Sequence, residues 1–310
     1  MIQDTVKGSG GERLLQSFSE AVTELAERVS PSVVSVGTGE RSGSGVAWSG
    51  EGIVVTASHV VGRSASPTVT LSGGRKAQAS LVGLDPYLDV AALRVDSDGL
   101  SPLARGTAEG VRVGQFVLAL ANATGNGVSA TSGIVTGARR SARGFWGVRI
   151  DDAVVTDARL NPGYSGGPLV DSSGRLLGLN VAYFAGRGVA VSVDSLEEAV
   201  ARMSKDGGAK RGRLGVVVEP IELPQGVSRL PGVDQDEALL VKSVEPGSPA
   251  RDSGVALGDI ILSLGGTKAT DEYSLYRALG GDVVGKGVAL RILRAEKVAE
   301  LQVTPREAEA

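Results

Sequence analysis

The decapeptide NPGYSGGPLV, residues 161–170, sets one serine among the glycines Gly163, Gly166 and Gly167. A serine that attacks a carbonyl needs an exposed hydroxyl, a base to take its proton and donors for the oxyanion that develops. Small neighbours let backbone and substrate come close to Ser165. Gly163 lets its own N–H turn toward the point addressed by the N–H of Ser165, so these two amides are the candidate oxyanion donors. By itself the segment also reads as a plain glycine-rich turn, and other residues have to decide between the two. The chain has a single histidine, His59 in TASHVV (56–61). It is therefore the candidate base, held at the end of a strand over Ile53–Thr56. The third requirement is an acid that fixes the imidazole tautomer and stabilises the imidazolium. DPYLDVAALRV (85–95) offers Asp85 and Asp89. Asp85 precedes Pro86 and reads as a turn former. Asp89 abuts a buried strand, where an ionised carboxylate needs a partner, and is the choice.

These side chains lie far apart in the sequence, so long-range structure must gather them. Leu14, Leu15, Phe18, Val22, Leu25 and Val29 recur at spacings of three and four, the pattern of a one-faced helix stopped before Pro31. Residues 1–12 before it are polar and Gly-rich and read as a tail. From 32 to about 193, short β-branched runs such as SVVSVGT, GIVVTAS, DVAALRV, QFVLALA and GVAVSV alternate with turn residues. This predicts an all-β sandwich or barrel of roughly ten or more strands. Ser195 to Glu198 has the form of a capping box opening a helix through about Lys205. DGGAKRGR then reads as a linker over 206–212, and a second β-rich unit with a helix near Asp271–Leu279 fills 213–306. The final REAEA reads as frayed.

Composition narrows the chemistry. The 310 residues fit two domains, with 42% hydrophobic and 22% charged residues, as in ordinary globular chains. The net charge of −3, with both signs interspersed, gives no nucleic-acid footprint. The one basic cluster, Lys210-Arg211-Gly212-Arg213, reads as solvated linker. There is no cysteine, which excludes disulfides, thiolate metal sites and a cysteine nucleophile. One histidine and no cysteine argue against zinc, and no metal or cofactor is expected. No apolar run reaches the ~20 residues of a membrane helix, and the N-terminal stretch lacks the apolar segment of a leader. The location is read as cytoplasmic at face value, or extracytoplasmic if a leader is missing.

The order His, Asp, Ser along the chain is that of chymotrypsin-type double barrels. GSGVAWSGEGIVVTASHVV (43–61), DPYLDVAALRV (85–95) and TDARLNPGYSGGPLV (156–170) resemble the three signature segments of the HtrA (DegP-like) serine proteases. So does VGQFVLAL…SGIVTGARRS within 113–141. The resemblance implies a mainly β fold: a chymotrypsin-like pair of six-stranded barrels over residues 31–205, followed by a smaller α+β PDZ domain. It implies an ATP-independent endopeptidase acting on unfolded or exposed polypeptide, with His59, Asp89 and Ser165 catalytic and Gly163 on the oxyanion loop. RLGV (213–216) is similar to a PDZ carboxylate-binding loop, and residues 244–266 to the most recognisable PDZ stretch. A peptide C-terminus would then be held by amides after Arg213, at Leu214, Gly215 and Val216, and would add as a strand beside Val216–Val218. It would lie against the helix carrying Leu275 and Leu279, leucines that also suit the domain core. A homotrimer assembled through N-terminal segments is implied, with Phe18 a candidate contact.

Two positions depart from the family pattern. Tyr164 stands where a small polar residue is usual, so a bulky ring is expected to alter the loop or an adjacent subsite. Val181 in GLNVA (178–182) stands where a hydroxyl is usual, leaving Asp89 one donor short, a cost of about 1 kcal/mol. By the fold, the substrate pocket is expected from Arg159, Leu160 and Asn161 on one side and Gly188, Val189, Ala190 and Val191 on the other. That lining favours a small or medium apolar side chain and disfavours a trypsin-like preference. The rival reading is a chaperone or scaffold of little or no proteolytic activity that binds peptides through the PDZ unit.

Overall fold

The structure is a computed structural model that describes residues 10–39, 41–62, 64, 66–97, 99–143, 149–205, 212–280 and 283–307. The expected linker falls mostly outside these residues. The chain divides into a first unit ending at Gly208 and a second starting at Ala209.

In the first unit, twelve strands close into two six-stranded barrels, the chymotrypsin-like arrangement. The first barrel holds β1 (Val33–Gly37), β2 (Ser42–Ser49), β3 (Ile53–Ala57), β4 (Thr68–Thr70), β5 (Lys76–Asp85) and β6 (Val90–Val95), in the order β1-β2-β3-β6-β5-β4. The second holds β7 (Phe116–Ala121), β8 (Ser129–Arg143), β9 (Arg149–Thr156), β10 (Pro168–Asp171), β11 (Leu176–Phe184) and β12 (Arg187–Ser192), in the order β10-β11-β12-β9-β8-β7. The β-branched runs explain the choice of strand. β3 (IVVTA) is buried at every position, so neither face faces water and the hydrophobic effect holds it on both. Closure also removes the unpaired edges that such apolar strands would otherwise expose.

Helix α1 (Gly10–Val29) ends where Pro31 enters a 3-10 turn over Ser30–Ser32. It starts at Gly10, so residues 10–12 are helical, not tail. Only the C-terminal half of its apolar stripe is packed. Leu25 and Val29 join Val33, Leu118, Leu120 and Val170 in a core cluster, whereas Leu14, Leu15 and Phe18 are exposed. The Phe18 ring meets Phe116 edge-on at 5.7 Å. A short helix, α2 (Ser58–Val61), carries His59, and α3 (Val193–Lys205) closes the unit. The expected start of α3 at Ser195 is corrected: the helix begins two residues earlier, and Ser192 Oγ accepts from Ser195 N at 3.3 Å, an N-terminal satisfaction from outside the helix. No helix among the described residues is long and apolar enough to cross a membrane.

The second unit pairs β13 (Gly212–Arg213) with β20 (Arg306–Glu307), so two of the residues expected to fray are held in a strand. Its main sheet runs β14 (Val216–Glu222), β15 (Glu237–Val244), β16 (Ile260–Leu264), β18 (Val288–Arg294), β19 (Lys297–Val303), with β17 (Thr267–Lys268) beside β16. Two single-turn helices, α4 (Gln225–Ser228) and α5 (Pro249–Asp252), accompany α6 (Glu272–Ala278). A capping box between Asp271 and Ser274 starts α6.

Candidate active site

Strand register brings the imidazole to the carboxylate. β3 and β6 are antiparallel, with Ala57 opposite Val90. The residues just after β3 therefore face the residue just before β6, and Ser58 N donates to Asp89 O at 3.0 Å. Asp89 has φ 57°, a left-handed conformation that Asp and Asn tolerate better than other non-glycine residues. Asp89 is 3% exposed, and both oxygens of its carboxylate are engaged. Oδ2 meets His59 Nδ1 at 2.5 Å, and Oδ1 accepts from His59 N at 2.9 Å and from Ser58 Oγ at 2.8 Å. Val181 is fully buried and supplies no hydroxyl, and Ser58, which sequence reasoning passed over, donates its own to Asp89. Asp85 is the turn former expected. Its Oδ1 accepts from Tyr87 N and Leu88 N, both at 3.1 Å, and its Oδ2 accepts from Arg202 of α3 at 3.1 Å.

Ser165 is the second residue of the latter of two consecutive turns that share Tyr164. Tyr164 N donates to Asn161 O at 3.1 Å and Gly167 N to Tyr164 O at 2.9 Å. Gly163 (φ 93°) and Gly166 (φ 83°) occupy the third positions of these turns, the type II pattern that demands a positive φ. Space excludes a side chain as well: a Cβ on Gly166 would stand 2.1 Å from Ser44 O, and one on Gly163 2.4 Å from Ala123 Cβ. The loop is braced from the first barrel. Ser44 N donates to Ser165 O at 2.9 Å and Ser44 Oγ to Gly163 O at 2.7 Å. The N–H groups of Gly163 and Ser165 donate no hydrogen bond among the described residues.

His59, Gly163 and Ser165 line one cleft of about 450 Å³ together with Arg41, Ser42, Val60 and Pro162. Arg41 Nη1 also donates to His59 O at 3.0 Å. The Ser165 hydroxyl and the imidazole thus open onto the same cleft. The seven residues expected as pocket walls stand apart from this lining. Arg159 and Asn161 are exposed and Leu160 half-buried, while Val189, Ala190 and Val191 are buried within the barrel. A Cβ on Gly188 would come within 3.1 Å of Leu160 Cγ, so those two expected walls do adjoin each other. Tyr164 points into the core beside Val117, Ala119, Leu169 and Ala190, and is absent from the cleft lining. Burial raises its pKa, against a smaller lowering by the Thr131 hydroxyl. No cluster of three or more His, Asp or Glu suited to a metal ion occurs among the described residues.

In the second unit, Leu214 O and Gly215 O accept from Ala250 N and Glu245 N, both at 2.9 Å, and Gly215 has φ 75°. Arg213 is exposed and paired with Glu245. Leu214, Leu275 and Leu279 are buried in one core cluster, with Val216 packed against it. The N–H groups of Leu214 and Gly215 donate no hydrogen bond among the described residues.

Two closed barrels, with a half-buried imidazole on a buried carboxylate and a serine on the same cleft, define a trypsin-like peptidase domain, and the second unit is a PDZ domain. Family models agree: "Trypsin-like peptidase domain" matches residues 43–179 and "PDZ domain" matches 212–304. "Protease Do-like 1, chloroplastic" of Arabidopsis thaliana is 36% identical over 283 residues, covering 85% of this chain and 63% of that protein. The "Probable periplasmic serine endoprotease DegP-like" of Halomonas elongata is 33% identical over 268 residues, covering 84% and 56%. The chain thus spans less than two thirds of the length of either relative. Among solved structures, "HtrA-type protease AlgW with tripeptide" superposes with a TM-score of 0.71 at 30% identity, covering 94% of this chain and 98% of that one. The chain belongs to the HtrA-type protease family.

Proposed function

We propose that this chain is a serine endopeptidase that cleaves unfolded or exposed polypeptide without nucleotide hydrolysis. The observation that carries the reading is the sharing of one cleft by Ser165 and the chain's sole imidazole, with Asp89 buried behind His59. Asp89 holds Nδ1, which assigns proton transfer to Nε2. His59 takes the Ser165 proton as the hydroxyl attacks the scissile carbonyl, then returns it to the leaving amine. The oxyanion is received by the N–H groups of Gly163 and Ser165, in a site where such donors act without reorganising. Water, activated by the same imidazole, releases the acyl group. Ser165→Ala is expected to abolish casein cleavage in the absence of ATP while leaving the melting temperature within a few degrees. Persistent cleavage by the folded variant ends the assignment.

The PDZ domain is read as a C-terminus receptor: the amides of Leu214, Gly215 and Val216 hold the carboxylate, and the peptide extends β14. Leu275 and Leu279 then serve core and groove together. A peptide ending in a free carboxylate should bind more tightly than its C-terminal amide, as read by fluorescence anisotropy; equal affinity removes the carboxylate site. Three chains are proposed to associate through the exposed Leu14, Leu15 and Phe18 of α1. Light scattering should give a mass near three chains, and a clean monomer discards that arrangement.

A second reading, a peptide-binding scaffold of low activity, is favoured by one observation, the fully buried Val181, which offers Asp89 no hydroxyl. Ser58 supplies Asp89 with a hydroxyl from the other side. Labelling of Ser165 by a fluorophosphonate in the presence of a C-terminal peptide supports the enzyme; failure to label under those conditions supports the scaffold.

A further inference from the structure

We propose that Ser44 is a positioning residue for the oxyanion site, setting a loop of the second barrel from a strand of the first. The proposal rests on the assignment of Gly163 and Ser165 as oxyanion donors. Ser44 is fully buried, and its polar groups are committed around that loop. Its hydroxyl donates to Gly163 O at 2.7 Å and accepts from Asn122 N at 2.8 Å, its N–H donates to Ser165 O at 2.9 Å, and its carbonyl accepts from Thr56 Oγ1 at 2.6 Å. One residue therefore holds two carbonyls of the loop.

The consequence follows from peptide planarity, because a bond to one side of a planar unit orients the other side. The plane joining 163 to 164 is fixed at both ends, by Ser44 Oγ on its carbonyl and by Asn161 O on its N–H. The plane joining 165 to 166 is fixed the same way, by Ser44 N on its carbonyl and by Asn180 O on the N–H of Gly166 at 2.7 Å. Between them, the plane carrying the Ser165 N–H is held through Tyr164 O by Gly167 N. With its neighbours clamped, the Ser165 amide has a fixed direction, and the peptide carrying the Gly163 N–H is attached to a fixed plane. Ser44 thus sets where the two donors converge. Its own reach is set by Gly43, where a Cβ would stand 2.6 Å from Val60 Cγ2 and 3.0 Å from Ser165 O, so the strand lies against the loop with no side chain between.

The test is Ser44→Ala in the full chain, assayed on a peptide substrate and against a peptide boronate, whose tetrahedral adduct needs the oxyanion donors. The expected result is a folded protein with KM near wild type, kcat lowered about 10- to 100-fold and boronate affinity lowered in parallel. A purely structural serine would change the melting temperature without this split. Folded Ser44→Ala with unchanged kcat and boronate affinity overturns the proposal. If the alanine variant does not fold, Ser44→Cys, near in shape but a weak donor, is measured in the same way. Failure of both variants to fold makes Ser44 structural and also overturns the proposal. A wild-type chain that neither cleaves peptide nor binds the boronate brings down the underlying assignment, which separates the two failures.

Discussion

The hydroxyl of Ser58 donates to Oδ1 of Asp89 at 2.8 Å, so the residue just before the imidazole secures the carboxylate that orients it. Removing this donor leaves a buried carboxylate with one bond fewer. Ser58→Ala is expected to cost about 1 kcal/mol of transition-state stabilisation, roughly a fivefold fall in kcat/KM. Ser58→Thr, which keeps the hydroxyl, should stay near wild type. Steady-state kinetics on one peptide substrate checks both.

Asp89→Asn is the sharper change. Asn tolerates the left-handed backbone at φ 57°, so the fold should survive. Its amide presents the wrong partner to Nδ1, and kcat is expected to fall by about 10⁴. Single-turnover acylation beside a thermal melt separates lost chemistry from lost structure.

Gly166→Ala should be worse for stability than for any single contact. The new methyl meets Ser44 O at 2.1 Å on a backbone held at φ 83°. Steric overlap and backbone strain add, so a loss of about 3 kcal/mol or more is expected, visible as a fall in urea midpoint.

Tyr164→Phe isolates a buried phenol. Its folded-state pKa lies above the ordinary 10.0, so above that pH the unfolded chain loses the proton first and stability falls. Below 10.0 the group is neutral in both states and contributes no pH dependence. The phenylalanine variant should show a shallower loss of melting temperature as pH rises past 10.0, and identical slopes would contradict the buried assignment.

The segments holding His59, Asp89 and Ser165 were legible because each carries its chemistry locally: a lone imidazole after a strand, a carboxylate before one, a serine between glycines. Strand content was legible from β-branched runs. What local pattern does not carry is partnership between distant positions. Ser44 and Gly163 are 119 residues apart, and only the packing of two closed barrels makes them neighbours. Ser58 was missed for a subtler reason: nothing in its type separates a solvated serine from one turned toward a carboxylate. Val189, Ala190 and Val191 are small and apolar, which suits a pocket wall and the barrel interior alike, and the barrel buries them. The size of Tyr164 was legible but its direction was not: the ring enters the core cluster that holds Ala190, with Leu160 packed against it.

Barrel closure also bears on how the molecule keeps company with misfolded chains. A barrel has no border strand, so among the described residues neither half of the first unit offers a row of unpaired peptide groups that a sticky neighbour can copy. The main sheet of the second unit does have borders, at β14 and β19. Edge-to-edge strand pairing between copies at high concentration is thereby left to the second unit. A peptide seated on β14 would shield that border, so saturating the protein with such a peptide should slow its own aggregation under heat.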